Sequence, residues 1–174
     1  MAFKVFVSAA VFFGSSLSLA GQEPNRSRGQ GYVFFAPGVG GSHFGPGKAT
    51  LQFGAGGEGF IYRGLGVGAE IGPVGSLSTV RYGQDSYGWI DSVVGLGSVN
   101  LSYHLLPSTT DRKLEPFVTA GYSVFFRAGI SQGSNFGSGV NIWLNKNVAM
   151  RFEVRDHRSW YWQNLGFRIG ATFR

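Results

Sequence analysis

Apolar and polar residues alternate strictly in the last part of the chain. Between Val148 and Arg155 every second residue is apolar, beginning with Val148. The residues between them are charged, except for Ala149, which stands on the same face as Arg151 and Glu153. The same alternation returns over 164–173, where large apolar residues are separated by Asn, Gly, Arg and Thr. A period of two predicts β-strands with one apolar and one polar face, and no helix produces it.

Weaker alternation occurs throughout the preceding part of the chain, with glycine often at the polar positions. The 29 glycines and 16% aromatic residues disfavour a helical bundle, and the 14% charged residues disfavour a disordered chain. The absence of cysteine excludes a disulfide scaffold and a thiolate zinc site. Turn residues separate the segments, so we predict eight strands. They lie at about 31–37, 51–58, 65–72, 93–104, 118–127, 136–145, 148–155 and 164–173, and the first is apolar on both parities, so its register is open.

The N-terminal residues read as a secretory signal. Lys4 precedes the apolar run Val5–Phe13, and small residues at Ser18 and Ala20 fit cleavage before Gly21. We therefore expect a signal peptide over 1–20, a polar leader over 21–30 and the folded domain over 31–174. The net charge of +6 comes from scattered Arg and Lys without a basic run, so we expect no nucleic-acid partner.

The chemistry of the polar parity indicates which face points inward. It consists of small Gly, Ser, Thr and Asn residues with a few charges of both signs, whereas a solvated strand face would carry Lys and Glu. A narrow eight-stranded interior needs small side chains, and buried charge is stable only when it is paired. We predict that a salt-bridge network fills the lumen. Its members are Glu58, Glu70, Glu153, Arg127, Arg151, Arg155 and Arg168.

Aromatic residues gather near strand ends, as in the girdles of membrane barrels. No run of 18 apolar residues follows position 20 to form a spanning helix. We therefore predict an all-β fold, an eight-stranded antiparallel up-and-down transmembrane β-barrel. The predicted girdle consists of Tyr82, Tyr87, Trp89, Trp160, Tyr161 and Trp162.

Several segments resemble the small Gram-negative outer-membrane barrels of the OmpA, OmpX and opacity-protein type. They are GLGVGAEIG from Gly64, EPFVTAGYSVFF from Glu115, MRFEVRDH from Met150 and NLGFRIGATF ending at Phe173. The resemblance implies a monomer in the outer membrane, in contact with lipid and lipopolysaccharide, with both chain ends in the periplasm. It also implies that Phe173 is the assembly signal read by the barrel-assembly machinery, although such barrels usually end on the aromatic and here Arg174 follows.

We expect a structural, envelope-integrity or surface-interaction role, with a plugged lumen, loops that could present a surface ligand, and no cofactor. One alternative is an enzyme similar to the lipid A deacylases, with Ser159 as nucleophile and His157 as base, although no acidic residue follows Asp156. A narrow pore is the other alternative. His43 and His104 have no partner at ligand spacing, so we expect no metal site.

Overall fold

A computed structural model describes residues 29–42, 47–82, 85–105, 113–127 and 129–174; for 42, 79–82, 85–89 and 91 it describes the backbone. The predicted signal peptide and nearly all of the predicted leader lie outside these residues. No helix in the described part of the chain is long and apolar enough to cross a membrane. The eight strands are β1 (Gly29–Ser42), β2 (Lys48–Tyr62), β3 (Leu65–Tyr82), β4 (Asp85–His104), β5 (Leu114–Phe126), β6 (Ile130–Trp143), β7 (Val148–Ser159) and β8 (Trp162–Phe173).

The strands form one closed antiparallel barrel in chain order. Each strand pairs with the next, and β8 returns to pair with β1 from Gly31 opposite Phe173 to Ser42 opposite Trp162. Closure leaves no free sheet edge along the barrel wall. The predicted eight-stranded up-and-down barrel is confirmed.

Alternation along each strand divides the side chains between the lumen and the exterior. On β7, Glu153 and Arg155 are 2% and 1% exposed, whereas the neighbouring Val154 is 46% exposed. The register of β1, which the sequence left open, places Tyr32 and Phe34 in the lumen. The barrel is thus polar inside and apolar outside, which is the reverse of a soluble sandwich.

Glycines on the lumenal face make room for large side chains. A Cβ atom on Gly54 would lie 2.4 Å from Cζ of Phe34. A Cβ atom on Gly137 would lie 2.8 Å from Nε of Arg155 and 2.9 Å from Oε1 of Glu153. The glycines therefore leave space for the large side chains that fill the narrow interior.

The strands extend further than the alternation predicted. Segments that fall outside the predicted strands, at 83–87, 129–134 and 157–162, lie largely in β4, β6, β7 and β8. Outward positions there are polar, for example Gln132, Ser134 and Arg158, so these strand ends lack the apolar parity that marks a strand in the sequence. We call the end of the barrel that contains these strand ends the far end. The opposite end, where β1 begins and β8 finishes, is called the terminal end.

Candidate functional site: the polar interior of the barrel

The centre of the lumen is built on three consecutive inward positions of β7. Arg151 donates from Nε to Oε2 of Glu153 over 3.1 Å, and Arg155 donates from Nε to Oε1 over 2.5 Å. Arg155 also donates from Nη1 to Oδ1 of Asn135 over 2.8 Å, on the adjacent strand. Glu153 is therefore held between two guanidinium groups, and this pairing offsets the cost of burying the charges.

A second ion pair crosses the lumen between β3 and β8. Arg168 donates through Nη1 and Nη2 to the two carboxylate oxygens of Glu70, each over 2.9 Å. Tyr32 donates its hydroxyl to the same carboxylate over 3.2 Å, and Nη2 of Arg155 lies 3.9 Å away. Bidentate pairing of this kind fixes geometry as well as charge.

Aromatic faces cover two of these cations. The guanidinium carbon of Arg151 lies 4.0 Å from the ring centroid of Phe117 and 4.3 Å from that of Tyr32. Arg168 lies 4.1 Å over the ring of Phe34. A desolvated guanidinium group over an aromatic ring is stabilised by a cation–π interaction. The planar guanidinium stacks on the ring in a way that a lysine ammonium group cannot.

A second polar cluster lies towards the terminal end, and the sequence did not reveal it. The ring of His104 lies between two carboxylates, with Nδ1 2.5 Å from Glu115 and Nε2 3.3 Å from Glu58. Glu115 also accepts bonds of 2.8 Å from Trp143 Nε1 and Arg174 Nη2. The alternation along EPFVTAGYSVFF places Glu115 on the inward face, and this was the one sign in the sequence that it belongs to the lumen. Its pairing with His104 could not be predicted, because that requires the β4–β5 register.

The two clusters are joined through Arg151. Its Nη1 lies 3.6 Å from Oε1 of Glu58, while its Nε contacts Glu153. Glu58 also accepts hydrogen bonds from Gln30 and Ser102. The polar interior therefore forms one connected network from Arg174 at the terminal end to Arg168, which lies opposite Glu153 at the centre of the lumen.

His157 and Ser159, the residues of the enzyme alternative, each make hydrogen bonds to other residues. Nδ1 of His157 is 2.9 Å from the hydroxyl of Ser123, and Nε2 is 3.0 Å from Nη2 of Arg168. Because a guanidinium only donates, we assign Nε2 as the acceptor and place the ring proton on Nδ1. Ser159 accepts from the backbone N–H of Trp162 over 3.1 Å and donates to its carbonyl oxygen over 3.2 Å, which closes the β7–β8 turn.

Apolar residues close the far end of the lumen. Val74, Leu96 and Phe125 form a buried cluster, and Trp162 packs against it with its ring 4.8 Å from that of Phe125. This corrects the assignment of Trp162 to the outer girdle. The residue begins β8 and turns inward, where it covers the polar network beneath.

One member of the predicted lumen network lies outside the lumen. Arg127 is exposed in the β5–β6 turn, where its N–H donates to the carbonyl of Gly129, so the prediction that it belongs to the lumen network is wrong. β5 ends at Phe126, one residue earlier, so its last inward position is Phe125.

Three other residues of the predicted girdle and assembly signal are exposed. Trp160 and Tyr161 are 83% and 66% exposed in the β7–β8 turn, and Phe173 faces outward with 46% exposure. The side chains of Tyr82, Tyr87 and Trp89 lie outside the described residues.

In the interior, buried carboxylates are balanced by buried cationic groups. Within the described residues, no group of three or more His, Asp and Glu side chains is arranged to hold a metal ion. Four buried carboxylates face three fully lumenal guanidinium groups, with His104 and Arg174 at the terminal end. The carboxylates are Glu58, Glu70, Glu115 and Glu153, and the guanidinium groups are those of Arg151, Arg155 and Arg168.

A closed eight-stranded barrel with an apolar exterior and a paired-charge interior has the architecture of small transmembrane β-barrels. The fold is similar to that of Neisserial surface protein A, with a TM-score of 0.61 and 14% identity, covering 84% of this chain and 97% of that one. It is also similar to the outer membrane protein OprG from Pseudomonas aeruginosa, with a TM-score of 0.59 and 14% identity, covering 84% and 95%.

The attachment invasion locus protein Ail of Yersinia pestis is a third similar structure, with a TM-score of 0.51 and 10% identity, covering 83% of this chain and 96% of that one. No protein-family model and no curated protein matches the sequence. At these identities the likeness establishes the fold, and it confirms the predicted resemblance to small outer-membrane barrels at that level.

Proposed function

We propose that this protein is a monomeric barrel of the Gram-negative outer membrane whose filled lumen makes it a structural element of the envelope. The observation that carries the proposal is the connected network of paired charges inside a wall with an apolar outer surface. A barrel of eight strands leaves an interior just wide enough for side chains, and these are present and paired. Such a barrel spans the lipid bilayer without providing a path for solutes.

The connections favour a structural role over an elaborate receptor. At the far end the strands are joined through 43–47, 83–84, 127–129 and 160–161, so each connection has at most five residues. The proposal places this end outside the cell and the terminal end in the periplasm, in keeping with signal-peptide removal and insertion by the barrel-assembly machinery. Long surface loops, which usually carry binding functions, are lacking among these connections.

Fractionation of the expressing cells tests the location. We expect the full chain in the outer-membrane fraction, resistant to salt washing, with faster gel migration before heating than after. Recovery in the soluble periplasmic fraction would contradict the proposal, because it would require the exposed apolar face to be covered by something other than lipid.

Planar-bilayer recording tests the filled lumen. We expect the purified, folded protein to produce no stable conductance steps, because the charged residues of the lumen are paired with one another and the far end carries the apolar cluster. Regular ion-selective steps that change selectivity in Arg151→Ala would instead support the narrow pore.

The alternative role as a lipid-modifying enzyme predicts a different outcome for Ser159→Ala. We expect the lipid A mass spectrum of cells producing this variant to equal that of cells producing the wild type, with the barrel losing about 1 kcal/mol from the turn hydrogen bonds. Cells lacking the gene provide the reference spectrum. Loss of one acyl chain from lipid A with the wild type alone would revive the enzyme hypothesis.

A further inference from the structure

One polar cluster lies on the outer surface of the barrel, away from the lumen network. On β7 and β8 the apolar outer face ends at Val154 and Leu165, which are 46% and 49% exposed. The next outward positions are Asp156, Arg158 and Gln163, with Arg158 paired opposite Gln163 in the ladder. This cluster therefore marks the height at which the apolar band stops on this side of the barrel.

The cluster orients one guanidinium group. Gln163 donates from Nε2 to both carboxylate oxygens of Asp156, over 3.0 and 3.1 Å. Asp156 accepts from Nε of Arg158 over 2.6 Å, while the Arg158 side chain remains 60% exposed. Because the bond to Asp156 uses Nε, the edge formed by Nη1 and Nη2 takes no part in that bond.

The surroundings fit a membrane interface. Trp160 and Tyr161, exposed in the turn just beyond, are residues that favour the headgroup level of a bilayer. The pair Nη1 and Nη2 matches the oxygens of a phosphate group in a two-bond geometry. Without Lys4 of the predicted signal peptide the net charge falls from +6 to +5, which adds a general attraction for anionic lipid.

We propose that Arg158, held by Asp156 and Gln163, binds the phosphate of an outer-leaflet lipid headgroup. The inference rests on the proposed outer-membrane location and specifies the residue through which the barrel contacts phosphorylated lipid. The ligand is a membrane-embedded phosphate, because the guanidinium lies directly above apolar surface that acyl chains would cover.

Native mass spectrometry of the folded full chain in detergent tests this site. The probes are lipid A carrying both phosphates and the same lipid after dephosphorylation. We expect the phosphorylated lipid to bind the wild type, and Arg158→Gln to weaken its apparent Kd at least about fivefold, as expected for loss of charge-assisted hydrogen bonds at an exposed site. Lys146→Gln removes the same charge from the β6–β7 connection at the terminal end and should bind as the wild type does.

A second variant separates geometry from charge. Arg158→Lys keeps the positive charge but lacks the planar fork, so we expect it to lose most of the affinity lost in Arg158→Gln. Equal affinity of Arg158→Lys and the wild type, or equal loss in Lys146→Gln, would overturn the site in favour of nonspecific attraction. Displacement of the lipid by about 10 mM inorganic phosphate would also overturn it, by showing that the site takes a free anion as readily.

These outcomes are distinct from failure of the proposed function. All variants are measured on protein that shows the heat-dependent gel shift of a folded barrel, and Arg158 is exposed, so its substitution leaves the interior intact. Recovery of the wild type in the soluble fraction would refute the outer-membrane location. Indifference of a folded, membrane-inserted barrel to Arg158 would refute the lipid site alone.

Discussion

Replacement of Arg168 by methionine is expected to lower the free energy of unfolding by about 3–5 kcal/mol. The change leaves the carboxylate of Glu70 buried at 5% exposure without its two-bond partner. It also removes the hydrogen bond to Nε2 of His157 and the cation over the ring of Phe34. The measurement is equilibrium unfolding in guanidinium chloride from lipid vesicles, followed by tryptophan fluorescence.

The double variant Glu70→Met/Arg168→Met provides the control. Removing both charges together should recover most of the loss, because an apolar pair of similar volume often replaces a buried ion pair at little cost. Arg127→Gln, in the exposed β5–β6 turn, should change stability by less than about 0.5 kcal/mol. If the double variant were as unstable as Arg168→Met, the pair would not be the source of the effect.

The second large effect is expected at Gly54. A methyl group there would lie 2.4 Å from Cζ and 2.7 Å from Cε1 of Phe34, so Gly54→Ala should destabilise the barrel by about 1–3 kcal/mol through overpacking. The same unfolding experiment measures it. Gly129→Ala is the matched control, since nothing lies within 4 Å of its added Cβ.

A shorter partner should relieve the clash. In Gly54→Ala/Phe34→Leu the combined loss should be smaller than the sum of the two single losses, because the leucine side chain does not reach as far as the ring. Additive losses would mean that the glycine is needed for some reason other than space for the ring.

The alternation of residues was sufficient to predict the barrel and most of its interior. Glu153, Arg151 and Arg155 recur at every second position of one strand, so their inward direction follows from the period alone. The glycines between large apolar residues indicated a narrow lumen for the same reason. The face assignment depended on chemistry, since small polar residues with few, balanced charges suit an enclosed space better than water.

Pairing across the lumen could not be predicted in this way. The contacts of His104 with Glu58 and Glu115 join three strands, and their alignment depends on register shifts, including the one between Phe60 and Tyr62. Strand ends were the other source of error. Arg127 lies just past the end of β5, and Trp162 lies at the first position of β8, where the chain has just left a turn.

The pairing of β8 with β1 has a consequence for how the barrel forms. Seven of the eight strand pairs join neighbours in the chain, and the one between β1 and β8 joins the first strand to the last. Bringing ends together over about 140 residues instead of about 10 costs roughly 2 kcal/mol more in chain entropy. The hairpins can therefore assemble locally, and the junction between the first and last strands is the step that completes the cylinder and the first place where it would open.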